Sequence, residues 1–514
     1  MHPGVFSAIT PDKPAVIMGS TGERVSYREL DDGANRLARL LHDRGLRPGD
    51  GIALLAENHR RYFEVYWAAI RSGLYLTAVN RHLSSEEAAF MVNDSGSTAF
   101  ISTKQLAPTA LQIAGVLPRA RVRLMMDGTE EGFDSYEAAV SAQPATPLAK
   151  RPRGDVMLYS AGTTGRPKGI QRPLTGTDID DPGFVGISGA ERGLFGMSET
   201  SVYLCPAPLY HSAALQWSAG LHEMGGTLII MEKFDPAQFL ALVERERVTH
   251  TQVVPTMLVR LLKLPEAQRL AADVSSLECV IHAAAPCPPD VKRRMIDWLG
   301  PIVSEFYGGT EGVGLTFLTA TEWLSHQGSV GRAMLGILRI CDDDGNVLPT
   351  GEIGTVYFER DAPPFEYHSD AEKTRESRHP GHDRWATLGD IGYLDEDGYL
   401  YLTDRRAYTI ISGGVNIYPA EIESLLIMHP AVSDVVVFGL PHEEMGEYVH
   451  AVVQVAEGVA ESAEVADELR AYARARLAGY KVPRVVTFRS EIPRLPTGKL
   501  LKSQLRDELL RAGA

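Results

Sequence analysis

Apolar positions along the chain switch between two periods, and the switching marks out its elements. In YRELDDGANRLARLLHDRG, residues 27–45, Leu30, Ala34, Leu37 and Leu41 recur at helical spacing, and Gly45 is placed to end the helix. The next segment, DGIALLAEN, reads as a buried strand. Further strands are expected at VMLYS (156–160), TLIIM (227–231), TVYFE (355–359) and DGYLYL (397–402), each bounded by Gly, Pro or charged residues. Alternation of the two patterns through most of the chain predicts an α/β architecture, and no fixed-period repeat competes with it. The loop-rich tract from Ala142 to Asp155 reads either as a connection between two lobes or as a surface loop. Toward the C-terminus the pattern becomes a short α+β module, with strands VVVFG (435–439) and HAVVQVA (450–456) and a helix carrying Val465, Leu469 and Tyr472. We therefore expect a large multi-lobed N-terminal domain of sheets and helices over 1–403, with lobes that could divide near residue 150, and a small α+β C-terminal domain over 404–514.

Bulk properties narrow the function. At 514 residues the chain exceeds what one hydrophobic core usually serves, and 44% hydrophobic with 23% charged residues is a globular composition. A formal charge of -15 argues against a general nucleic-acid or anionic-membrane binder, so an anionic ligand must meet a local basic cluster. Four cysteines with no C-x-x-C pair do not form a disulfide framework or a zinc site. Cys279, His282 and Cys287 lie in an apolar segment that reads as a buried strand entering a loop, so they are taken as core residues rather than metal ligands. MHPGVFSAITPDKP lacks the features of a signal peptide, and no stretch approaches the ~18 to 20 apolar residues of a membrane span. A soluble, cytoplasmic protein is expected.

The strongest chemical signal is YSAGTTGRPKGI, Tyr159 to Ile170, directly after an expected strand. It is not a Walker loop, because Pro167 and Gly169 flank Lys168 and oppose the helix such a loop leads into. Gly162, Gly165 and Gly169 still let backbone N–H groups turn toward an anion, and Ser160, Thr163 and Thr164 add hydroxyls. Lys168 supplies a compact charge for a β- or γ-phosphate. In this string the chain resembles the adenylate-forming superfamily of acyl-CoA synthetases, luciferases and peptide-synthetase adenylation domains, and the resemblance extends over nearly the full length. Ser160 to Gly169 match the family's phosphate loop in order.

Five more segments follow. In YGGTEG, Tyr307 can face a purine, Thr310 can reach a phosphate and Glu311 can offer a hard oxygen to Mg²⁺, which are the roles the resemblance implies, with Thr163 as the second metal ligand. HAAAPCPP stands in the place of the family's adenine loop, so Ala283 and Ala284 are expected against the nucleotide, with Ala283 where glycine is usual. Asp390 could accept from ribose hydroxyls and Arg405 could donate to the same sugar or phosphate, whereas Asp404 and Arg406 read as a solvated charged turn. The family's hinge falls at Arg406 and Ala407, with Ala in place of the usual Asp or Lys. Ser412, Gly413 and Gly414 resemble the glycine turn that lines the pantetheine tunnel of CoA ligases. Finally, PRLPTGKLLK presents Lys499, expected to bridge acid and α-phosphate during adenylation.

His211 matches a family position near the acyl pocket, with Ala283 and Gly308 expected beside the acid; a structural histidine is the competing reading, and Trp217 reads as core. Lys481 and Arg484 could meet CoA phosphates but read better as solvated surface. The resemblance thus implies an AMP-forming carboxylic acid–CoA ligase that uses ATP, coenzyme A and Mg²⁺ and has a mobile C-terminal domain. The alternative is transfer of the acyl group to a carrier protein or an amine. A hydrophobic fatty, aromatic or alicyclic acid is favoured over acetate, and a homodimer is left open.

Overall fold

Helix Tyr27–Asp43 shows how local sequence sets local structure. The Ser26 side chain accepts from the Glu29 N–H while the Glu29 carboxylate accepts from the Ser26 N–H, closing a capping box at its start. Leu30, Ala34, Leu37 and Leu41 are buried along one stripe, and Gly45 follows with φ +89°, a conformation that favours glycine. The computed structural model describes residues 1–160, 167–181, 187–405, 408–413, 415–442, 444–493 and 502–512. They divide into two units: Met1–Val253 with Lys263–Ile281 and Phe365–Ala371, and Val254–Leu262 with His282–Pro364 and Glu372–Ala514.

The first unit is α/β. One sheet runs Asp134–Ser135, Val122–Met126, Ser97–Thr103, Gly51–Leu55, Tyr75–Val79, Asp155–Val156, with every neighbour parallel. Its central strands are buried on both faces, which is why GIALL reads as one apolar run rather than an alternation. In the same unit Pro14–Met18, Thr227–Ile230, Val202–Cys205 and His250–Val253 are parallel neighbours, edged by the antiparallel Arg24–Ser26. The tract 142–155 is a surface loop: guanidiniums of Arg36 and Arg39, on helix Tyr27–Asp43, donate to the carbonyls of Gln143 and Thr146 at 2.7 Å each.

The expected strand 156–160 divides at Met157. Asp155–Val156 joins the parallel sheet, while Leu158–Ser160 pairs antiparallel with Lys168–Ile170.

The second unit contains an antiparallel sheet in the order Val303–Gly308, Leu315–Leu318, Ser329–Leu335, Leu400–Arg405, Asp390–Leu394, Gly354–Glu359. The strand expected at 397–402 lies at Leu400–Arg405 instead, because the Asp395 carboxylate accepts from the N–H groups of Asp397 and Tyr399 and folds that stretch into a turn with Gly398 at φ +79°. The small α+β C-terminal module has the long hairpin Val432–His442 and Gly446–Val455, joined by Ile410–Ser412, Val415–Ile417 and the parallel Val485–Phe488. Its core packs Ile410, Ile422, Val435, Val437, Val453 and Leu469, the last from helix Ala463–Arg474. No described helix is long and apolar enough to cross a membrane.

Candidate active site

In the first unit, the glycine-threonine segment leaves one strand of a hairpin and returns on the other. Ser160 and Lys168 are register partners, so the two ends of the expected phosphate loop stand side by side and no helix follows it. Gly169 is in a tight place, since a Cβ there would lie 2.7 Å from the movable Met157 Cε and 3.3 Å from His368 Cβ. Its carbonyl accepts from the His368 N–H at 2.8 Å, and the Lys168 ammonium lies 5.4 Å from the centre of the Tyr367 ring. Gly162, Thr163, Thr164 and Gly165 lie outside the described residues, as does the Ser160 side chain.

In the second unit, strand register assembles the candidate nucleotide residues. Tyr307 ends one strand with its ring 6.1 Å from that of Phe358, and its hydroxyl donates to the Asp390 carboxylate at 2.6 Å. Asp390 is only 6% exposed and is the register partner of Arg405, so the two residues expected at the ribose occupy opposite positions on adjacent strands. The Arg405 side chain is outside the description. Beyond Gly308, the N–H of Gly312 donates to the Gly309 carbonyl at 3.0 Å, closing a turn with Thr310 and Glu311 at its tip. A Cβ on Gly309 would lie 2.7 Å from Leu388 and 2.8 Å from the Glu311 carboxylate, so those side-chain ends would have to move.

The segment standing for the adenine loop follows strand Cys279–His282. Ala283 is 4% exposed, and the left-handed residue is its neighbour Ala284, at φ +74°. The alanine that replaces a usual glycine therefore carries no left-handed strain; the strain falls one residue later. Ser412 and Gly413 form the hairpin between Ile410–Ser412 and Val415–Ile417, with Gly413 at φ +58° and its N–H donating to the Met445 carbonyl at 2.8 Å. Gly414, Arg406, Ala407 and Lys499 lie outside the described residues.

His211, in the first unit, immediately precedes helix Ser212–Met224 but makes no side-chain cap to it. Its ring lies 4.3 Å from that of Tyr210, its Nε2 has no hydrogen-bond partner among the described residues, and burial pushes the imidazole down to about 3. Trp217 is core, 4.9 Å from Phe195. Lys481 pairs with Glu421 at 2.6 Å and the exposed Arg484 meets His442 at 2.6 Å, both at the surface.

Sequence reasoning missed a charged group behind the nucleotide residues. Lys292, on helix Pro289–Leu299, is 0% exposed and its ammonium lies 2.6 Å from the carboxylate of Glu305, itself 5% exposed. His282 stands 3.4 Å from the same oxygen. The available signal was spacing: Val291, Lys292, Met295 and Ile296 share the helix's inward stripe. Also missed were Glu57, His59 and Asp127, whose ligand atoms lie within 4.8 Å of one another. His59 Nδ1 accepts from the Arg61 N–H, which leaves Nε2 to carry the proton toward Asp127 at 2.9 Å, a hydrogen bond that accounts for the contact.

The pairing of Ser160 with Lys168, the Tyr307–Asp390 bond and a small α+β module after a large α/β region fit a nucleotide-binding enzyme of the adenylate-forming superfamily. Residues 6–362 match the AMP-binding enzyme family and residues 421–499 match the AMP-binding enzyme C-terminal domain, so the chain belongs to that family. It is 34% identical over 511 residues to a long-chain-fatty-acid–CoA ligase of Mycobacterium tuberculosis, covering 98% of this chain and 96% of that one. It is likewise 34% identical over 506 residues to a feruloyl-CoA synthase of Amycolatopsis, covering 97% and 96%. Among solved structures it resembles an amide bond synthetase from Marinactinospora thermotolerans, with TM-score 0.79, 28% identity and coverage of 98% and 99%.

Proposed function

We propose that this protein is an AMP-forming carboxylic acid–CoA ligase, converting ATP, a carboxylic acid and coenzyme A into acyl-CoA, AMP and pyrophosphate through an acyl-adenylate. The observation that carries the reading is the Tyr307–Asp390 clasp opposite Arg405, because it sets an aromatic face beside a buried carboxylate, as a purine nucleoside requires. The relatives named above support the acceptor, since both sequence relatives are CoA ligases.

In the first half-reaction, Ser160, Thr163, Thr164 and Lys168 hold the phosphates, Asp390 and Arg405 the ribose, and Lys499 aligns the acid's oxygen with the α-phosphorus. Pyrophosphate leaves. Glu311, at the tip of the turn closed by Gly309 and Gly312, offers a carboxylate oxygen and Thr163 would offer a hydroxyl, donor types that fit Mg²⁺; when bound, the ion would neutralise phosphate charge. The small domain, taken as 404–514, then turns about Arg406 and Ala407, withdrawing Lys499 and bringing in Ser412, Gly413 and Gly414 for attack of the CoA thiol on the mixed anhydride. The acid lies near His211, Ala283 and Gly308 and is a hydrophobic fatty, aromatic or alicyclic one. Four free cysteines and the absence of a membrane-spanning helix among the described residues support a cytoplasmic location.

Pyrophosphate release measured over acids of graded length and ring content, with acyl-CoA detected by mass, tests the reading. Release with no thioester in any case would replace CoA by a carrier protein or an amine as acceptor, the transfer suggested by the amide bond synthetase. Absence of release with every acid would overturn adenylation itself.

A further inference from the structure

The group behind the nucleotide residues has a geometry that core packing alone does not require. Glu305 is its hub, at 2.6 Å from Lys292 and 3.4 Å from His282. Those two residues bracket the turn 283–288: His282 ends the strand that enters it, and Lys292 is the fourth residue of the helix that leaves it. Glu305 is also two positions before Tyr307 on strand Val303–Gly308, hence on the same face of that strand. One carboxylate therefore bonds the helix that leaves the turn to the strand that presents Tyr307, with the His282 ring, at the other end of the turn, packed 3.4 Å away. The Lys292 ammonium is backed by the buried indole of Trp323, 5.2 Å away.

Energetics make the arrangement informative. A buried ion pair is usually no more stabilising than apolar side chains of the same volume, whereas losing one partner leaves a buried charge. Stability alone thus gives no reason for the pair; a directional bond that tolerates one register between helix and strand does. The turn has something to hold, because Ala284 sits at φ +74°, a left-handed conformation that its Cβ disfavours. His282 has no hydrogen-bond partner at either ring nitrogen among the described residues, so it adds contact to the hub without competing for Lys292.

We infer that Glu305, Lys292 and His282 are positioning residues that fix the turn 283–288 against Tyr307, and so set the width of the nucleobase pocket and its preference for adenine. The inference rests on the proposed assignment of Ala283, Ala284 and Tyr307 to the base. The double variant Lys292→Met/Glu305→Leu of the full chain removes both charges at similar volume. Pyrophosphate release driven by ATP and by GTP is the readout. The expected result is a rise of about tenfold in KM for ATP, with kcat at saturating ATP within about twofold of the original and the ATP-over-GTP preference lowered about tenfold. A merely structural role would reduce the active fraction equally for both nucleotides; unchanged KM and unchanged preference would therefore overturn the inference. Tyr307→Ala is the reference. Preference lost there but kept in the double variant contradicts the positioning role, whereas preference kept in both contradicts the adenine assignment instead. Should the double variant prove insoluble, Lys292→Arg, which keeps the charge but displaces it from Glu305, is read by the same two criteria.

Discussion

Tyr307 and His211 are both aromatic residues placed by resemblance at a substrate, the first at the nucleobase and the second near the acid, yet their surroundings differ. The Tyr307 hydroxyl is already committed, donating to Asp390 at 2.6 Å within one sheet. His211 Nε2 has no hydrogen-bond partner among the described residues, and the same is true of the nearby hydroxyls of Tyr210 and Tyr62, both buried. Buried polar atoms ordinarily find partners. Strand register thus pairs Tyr307, Asp390 and Arg405 in advance, while the surroundings of His211 hold buried polar atoms without a partner among the described residues. That contrast suits an enzyme whose nucleotide is constant and whose acid differs among relatives.

Substitutions can break this contrast at graded strength. The largest effect is expected at Lys499: Lys499→Ala should slow adenylation on the order of 10² to 10³-fold, the usual result of losing one transition-state donor, while thioester formation from supplied acyl-AMP persists. Equal loss of both half-reactions would contradict its role. Gly414→Leu should do the reverse, sparing pyrophosphate exchange and slowing CoA transfer by about 10²-fold, as expected when a remote misplacement blocks alignment. An unchanged thioester rate would remove the turn from the tunnel. Asp390→Ala should raise KM for ATP by roughly tenfold or more, the cost of a lost charge-assisted hydrogen bond of about 1.5–3 kcal/mol, and leave KM for the acid nearly unaltered. Tyr307→Phe, which removes the hydroxyl that donates to Asp390, should raise KM for ATP by about fivefold, equivalent to ~1 kcal/mol.

The smallest effect sharpens the other half of the comparison. The His211 imidazole is lowered from 6.5 to about 3, chiefly by burial and secondarily by His82. Between those values the unfolded chain binds a proton that the folded protein refuses, so this residue's contribution to stability is intact above the unfolded value and is lost as pH falls toward 3. His211→Phe should therefore lose less melting temperature between pH 7 and pH 4 than the original protein, by calorimetry; parallel curves would show that His211 is not held neutral by burial.

The same contrast explains what the sequence disclosed. Phosphate-loop, clasp and glycine-turn residues are legible because each calls for a particular residue type at short range: glycine where φ is positive, as at Gly413, and a carboxylate beside a strand end at Asp390. Helix Tyr27–Asp43 was legible through its stripe and cap. The break at Met157 was not, because the division of one apolar run between two partners depends on which strands arrive. Nor was Lys292, since a lysine within PPDVKRRMIDW reads as solvated until Glu305 closes over it from another element. The identity of the acid stays unreadable for the same reason, as Tyr62, Tyr210 and His211 gain meaning only from their facing.

Whether the organic acid itself attacks the α-phosphorus can be read from isotope transfer. With a carboxylate bearing ¹⁸O, ATP, coenzyme A and the full chain, one labelled oxygen should appear in AMP and none in pyrophosphate, because the acid's oxygen stays on phosphorus when the thiol takes the acyl group. Unlabelled AMP, or formation of ADP and phosphate in its place, would contradict the acyl-adenylate route.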